Sequence, residues 1–217
     1  GGALWNPSNY EFDGVVNSEE NIAATEFMRQ LYLTGPEDAG NYSYGEVSDA
    51  MCNGTATMTS IWVGVAAGWT DPEGCPEFPN MAFAVPPQGP EDHVLSLGGM
   101  GMNVSAYTPD KDAALAFLEW LMSQETQLDW VQMGGYSAYQ SVLDSDEFQN
   151  AAPFNPVFSE AYPLVKDFYR LPEYQELMSL QGEYLNLAVT GQMDPQEALD
   201  ELAVEQQAII DEAYPDR

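Results

Sequence analysis

Carboxylates are the most abundant reactive groups in this chain, 35 among 217 residues, and that abundance weakens any one pair as a signal. Asp110/Asp112 and Asp144/Asp146 are pairs that chance produces at such density, whereas paired acid–base chemistry needs a set separation and one raised pKa. Asp144-Ser145-Asp146-Glu147 lacks the glycine and the distant glutamate of a calcium loop. His93 is the single histidine, and neither Cys52 nor Cys75 sits in a Cys-x-x-Cys pattern, so a zinc site has too few ligands. There is no Gly-x-Ser-x-Gly. Gly98-Gly99-Met100-Gly101 lacks the Gly-Lys-Ser/Thr of a phosphate loop. The expectation is therefore no metal, no cofactor and no catalytic nucleophile.

Aromatic residues are the better lead. Sugars offer C–H faces that pack on rings, and their hydroxyls need a few fixed donors and acceptors. Such a site wants Trp and Tyr at strand ends or loops, beside glycines that admit close backbone approach. Trp62 ends an expected strand and precedes Gly64; ordinary core packing is the competing reading. Tyr136 and Tyr139 follow Gly134-Gly135, and surface tyrosines read the same way. Arg170 brings five donors suited to hydroxyls or to an acidic sugar's carboxylate, although in so acidic a chain a structural ion pair competes.

The elements that must position these residues read as α/β. Asn17 with Glu20 has capping-box spacing, and Ala24, Phe27, Met28, Leu31 and Tyr32 keep helical period until Gly35-Pro36. A second helix is expected over Tyr44–Cys52. Residues 55–63 and 81–85 read as strands from their β-branched and aromatic content. A glycine-rich turn at Gly98-Gly99 should lead into a short apolar strand. Thr108 then caps a helix with Pro109 in its first position, and Ser123 starts another turn. Gly134 fits the residue after a helix C-terminus. Helices follow at 155–169, broken near Pro163, at 172–189 and at 194–213. The last has Asp194 as cap, Pro195 first, and Leu199, Leu202, Ile209 and Ile210 as its inward stripe.

Charge narrows the partners. Five basic residues face the 35 acids, a formal net charge of −30, which repels nucleic acid and anionic membranes. The acids are scattered over helix faces, which suits a heavily solvated surface in a salty medium, and exposed charges are screened beyond roughly 10 Å at about 0.1 M salt. The longest apolar stretch, around Ile61 to Trp69, is far short of a membrane span. Cys75 lies in a loop by composition. A bridge to Cys52 would stabilise by about 3 kcal/mol and imply an oxidising compartment, the alternative being two unrelated buried thiols. The chain opens Gly-Gly without Met or an apolar leader, which reads as a processed chain or a piece of a longer one.

The ordered series Gly98-Gly99, Ala113-Ala114, Phe117, Trp120-Leu121, Ser123, Glu125, Gln127, Gly134-Gly135 and Ser141-Val142-Leu143 resembles the solute-binding proteins of carbohydrate ABC importers, the maltose-binding-protein-like family. That resemblance covers nearly the whole chain. It implies a periplasmic-binding-protein-like fold of type II, here mostly the C-terminal lobe with a segment of the N-terminal lobe. By it, residues 1–95 and 141–217 belong to the C-terminal lobe and 96–140 cross to the other. It implies no catalysis, a sugar or polyol ligand, a membrane permease partner, a monomer, and a periplasmic or extracellular location. Trp62 would supply a stacking face, Gly98, Gly99 and Met100 backbone contacts, and Tyr139 and Arg170 hydroxyl partners, with Tyr136 and Tyr139 near the cleft or hinge. An acidic secreted glycan hydrolase is the alternative function, and it would require two carboxylates converging in one cleft.

Overall fold

Asp194 accepts a hydrogen bond from the Gln196 amide at 3.0 Å, and Pro195 opens the longest helix. That start is as the cap residues dictate. The computed structural model describes residues 2–99 and 101–215. Its helices, in chain order, are α1 (Glu19–Tyr32), α2 (Tyr44–Cys52), α3 (Val63–Ala66), α4 (Lys111–Leu121), α5 (Gln124–Gln132), α6 (Gln140–Leu143), α7 (Asp146–Ala151), α8 (Asn155–Ala161), α9 (Tyr174–Val189) and α10 (Pro195–Ala213). Two short strands, β1 (Leu95–Ser96) and β2 (Val165–Lys166), pair in parallel with Leu95 opposite Val165.

The chain divides into two packed units, Gly1–Val47 with Gln88–His93 and Asp167–Arg217, and Ser48–Pro87 with Val94–Lys166. This is a division by packing. It leaves the lobe boundaries at 95/96 and 140/141 as an expectation.

In the first unit α9 and α10 pack together and α1 lies against both. Leu199, Leu202 and Ile210 of α10 are buried with Leu177, Tyr184 and Ala188 of α9, while Ile209 is half-buried at the edge of the same core. Phe12, Val16 and Tyr169 complete it. The helical period of α1 is present, but the residues that carry it point elsewhere. Thr25 is buried, whereas Phe27 is 59% and Leu31 52% exposed. Periodicity marks a stripe without saying which of two adjacent stripes meets a neighbour. The cap of α1 is Ser18, whose hydroxyl accepts from the Asn21 amide, and not Asn17. Asn17 is committed elsewhere: its amide donates to Asp200 at 2.8 Å, and its oxygen accepts from the Gly14 amide.

Tyr169 makes the first unit sensitive to alkali. Its ring packs against Phe12, and its hydroxyl donates to Gln181 at 2.8 Å. Burial pushes the phenol up to about 12 from its ordinary 10.0, against the opposing pull of the Gln206 amide that donates to it. The folded state therefore holds the proton more tightly than the unfolded chain does. Its contribution is fully present below pH 10 and is lost as pH climbs towards 12. The unfolding free energy from urea titrations across that window should fall by about 1.4 kcal/mol per pH unit for this one group. Tyr169→Phe should remove that share of the slope; an unchanged pH profile would refute the assignment.

The second unit departs most from expectation. Residues 55–62 and 81–85 join no ladder among the described residues, and Thr55 and Thr57 are bends. Strand propensity describes a residue that fits a pleated surface; a strand also needs a neighbour to receive its N–H and C=O groups. The strand near the glycine pair precedes it, at Leu95–Ser96, instead of following it. Asp110, not Thr108, caps α4, accepting from the Ala113 amide at 2.9 Å, so Pro109 lies outside the helix. Ser123 caps α5, and Gly134 takes φ +92 directly after its C-cap, both as expected. The 155–169 helix stops at Ala161. Pro163 lies in a 3₁₀ turn (Tyr162–Leu164), and the chain then extends into β2.

Cys52 and Cys75 form a disulfide. The bridge is buried in a cluster with Ala66, Trp69 and Phe154, and the Trp69 indole donates to the Ser48 hydroxyl at 2.7 Å. A second cluster gathers Val131, Val142, Leu143 and Phe148 from α5, α6 and α7.

Candidate functional site

Trp62 occupies the N-cap position of α3, with an extended backbone (φ −62, ψ 128) that ends the run from Thr55. Ile61 and Val63 on either side are half-buried against the disulfide cluster. Alternation along an extended backbone therefore turns Trp62 the other way, and its side chain is 49% exposed. About half of this ring is therefore open to solvent.

The indole instead lies on Gly98. A Cβ added there would stand 2.9 Å from Nε1, closer than carbon tolerates, and a tight 3.3 Å from Cε2, so the ring would have to shift if this residue were not glycine. Gly64 lies below the same ring, at the ordinary contact distance of 3.8 Å from a Cβ. Gly99 differs, since a Cβ there would meet nothing within 4 Å. The glycine pair is thus two residues with different reasons. Met100 falls outside the described residues.

Tyr136 packs edge-on against Phe148 and Phe158, at centroid distances of 5.9 and 5.0 Å, within an aromatic cluster. Burial raises its phenol well above the ordinary tyrosine range, so the hydroxyl stays protonated, and able to donate, throughout neutral pH. Tyr139 is 40% exposed at the N-cap position of α6, where its own amide donates to the Ser137 hydroxyl. Trp62, Gly98, Gly99, Tyr136 and Tyr139 all belong to the second unit.

Arg170 belongs to the first unit. Its Nε donates to Asp167 Oδ2 at 2.9 Å across three residues, and its side chain is 81% exposed. An exposed pair of this kind contributes about 0–1 kcal/mol to stability.

One aromatic stands out that the sequence did not separate from its neighbours. Trp130 is partly exposed, and its indole occupies the space a Cβ on Gly135 would need, a second tryptophan laid over a glycine. The run Trp130 to Gly135 across a helix end was the available signal. The Ser43 hydroxyl donating to Glu46 holds that carboxyl below the ordinary range. That is the opposite of what a general acid requires. Among the described residues no helix is long and apolar enough to cross a membrane.

A family model described as bacterial extracellular solute-binding protein matches residues 2–156. The probable amino-acid ABC transporter periplasmic-binding protein y4oP of Sinorhizobium fredii is 22% identical over 187 residues, which are 85% of this chain and 42% of that protein. Two solved structures share the fold. Maltose-bound MalE3 of T. maritima superposes with a TM-score of 0.84 at 23% identity, over 96% of this chain and 54% of that one. An ABC transporter solute-binding protein from Agrobacterium radiobacter K84, in complex with ribitol, gives 0.80 at 26% identity, over 96% and 53%. The chain thus spans about half the length of the relatives it matches, and its fold is part of the type II periplasmic-binding architecture.

Proposed function

This chain belongs to the bacterial extracellular solute-binding protein family, and from that premise we propose that it grips a sugar or polyol without chemistry and delivers it to the permease of an ABC importer. The observation that carries the reading is the half-exposed Trp62 ring laid over Gly98. A flat apolar face fixed at close range to backbone suits the C–H face of a polyhydroxylated ligand, which packs on the ring while its hydroxyls bond to nearby polar groups. Gly98, Gly99 and Met100 would offer backbone contacts, and Tyr136 and Tyr139 hydroxyl partners. Arg170, of the first unit, keeps its exposed guanidinium on Asp167 through Nε. The protein would act as a monomer in the periplasm or outside the cell, with residues 96–140 crossing between lobes and the rest in the C-terminal lobe.

The solved relatives are named for maltose and ribitol, which favours this ligand class. The curated relative is named for an amino acid, so amino acids form a second arm of the test. None of these relatives is a hydrolase, and the glycan-hydrolase alternative has no support from them. Titration calorimetry of the full-length protein against monosaccharides, oligosaccharides, polyols and amino acids decides the question. Heat with a sugar or polyol is the expected result. Heat with amino acids alone, or with nothing in the panel, would overturn it.

A further inference from the structure

We propose that the Cys52–Cys75 disulfide is a positioning element for Trp62: it fixes the segment from which the ring projects and so keeps the indole seated on Gly98. The consequence for ligand affinity rests on the sugar-binding reading above; the ordering of the ring does not.

Between the two cysteines lies a segment that packs on their bridge and that also bonds Ser48 through the Trp69 indole. Its only regular structure is α3 and the 3₁₀ turn at Ala67–Thr70, and residues 55–62 lead to Trp62 without a ladder among the described residues. A backbone with no neighbouring strand keeps much of its conformational freedom unless its side chains are anchored. The anchor here is the bridge and what packs on it. Both half-cystines are buried, Cys75 completely, and Ile61, Val63 and Val65 pack against the cluster they form with Ala66 and Trp69. One backbone bond joins the two ends of the segment near the bridge, the Glu77 amide donating to the Cys52 carbonyl at 3.2 Å, and the Ala56 amide donates to the Ala50 carbonyl at 2.9 Å at the Cys52 end. Ile61 and Val63 face inward, so Trp62 between them faces outward. The fit on Gly98 leaves no room even for a methyl group, so a modest shift of the segment unseats the ring. A ring already in place spares the ligand the cost of ordering it.

The test labels the full-length protein with 5-fluorotryptophan and follows the Trp62 fluorine resonance, assigned by its loss in Trp62→Phe. One narrow Trp62 line is expected with the bridge intact, and a broadened or split line in Cys52→Ala/Cys75→Ala. Val63→Ala keeps the bridge but trims the contact through which it acts; it should broaden the same line less, and it stands in if the double variant does not fold. Affinity for maltose and ribitol should drop about tenfold without the bridge in the Trp62 protein, and by less in the Trp62→Phe background, because the two changes act through one contact. A Trp62 line unmoved in every folded variant, or equal losses in both backgrounds, would overturn the proposal. If neither maltose nor ribitol binds the unaltered protein, the ligand reading fails alone and the fluorine line still decides this one.

Discussion

Trp62→Ala is expected to weaken sugar or polyol binding by about thirtyfold or more, the loss of roughly 2 kcal/mol that a buried aromatic anchor typically supplies. The same change should leave the urea midpoint nearly unmoved, because the side chain is half-exposed and its neighbours Ile61 and Val63, not the indole, face the disulfide cluster. Removing the ring takes away the apolar face that a ligand's C–H groups would cover, and it opens the space over Gly98 and Gly64 to water. Trp62→Phe should recover part of the affinity, since a smaller ring keeps a face but covers less area. Calorimetry on the full-length protein, with the tightest ligand from the panel, reads both variants. Equal affinity in the wild type and in Trp62→Ala would show that the ligand, whatever its class, does not rest on this ring.

Phe148→Ala should have the largest effect on stability, about 3–5 kcal/mol. Phe148 is fully buried among Val131, Val142 and Leu143, and it packs edge-on to Tyr136 and Phe158. Its backbone is also fixed: the amide donates to the Ser145 hydroxyl, and its carbonyl accepts from the buried Asn155 amide at 2.7 Å. The surroundings therefore cannot collapse cheaply into the space an alanine leaves. A loss of that size is a large part of the about 5–15 kcal/mol that holds a typical domain together. Urea unfolding of the variant, with Phe148→Leu as the milder comparison, measures it. A loss below about 1 kcal/mol would show that the cluster repacks around the change. Tyr136 rests on the same ring, so ligand binding in the Phe148→Ala protein should weaken as well if the Tyr136 hydroxyl is a partner.

Much of the fold was legible because it depends on neighbours a few residues apart. Asp194-Pro195 set the start of α10, Ser123 that of α5, and α2 spans Tyr44–Cys52 as expected. Gly134 takes the positive φ that a residue after a helix end so often needs. Caps of this kind are local, and the residues that make them are present in the sequence. Where two candidates compete for one cap, as Asn17 with Ser18 or Thr108 with Asp110, the choice follows from other engagements such as the bond from Asn17 to Asp200. Those engagements lie far apart in the chain.

The amino-acid sequence by itself determined the acidity and the starts of α5 and α10, since these follow from composition or short-range order, and it left the pairing of Cys52 with Cys75 as one of two readings. Tertiary structure alone decided that 55–62 and 81–85 stay outside any described ladder, that the Phe27 and Leu31 stripe of α1 faces outward, and that Tyr136 is drawn into an aromatic cluster while Trp62 is turned out onto Gly98. The reason is that a ladder, a buried stripe and a ring–glycine contact each need a second segment brought near in space. A side chain's identity states what it can do there, and only packing determines which partner it meets.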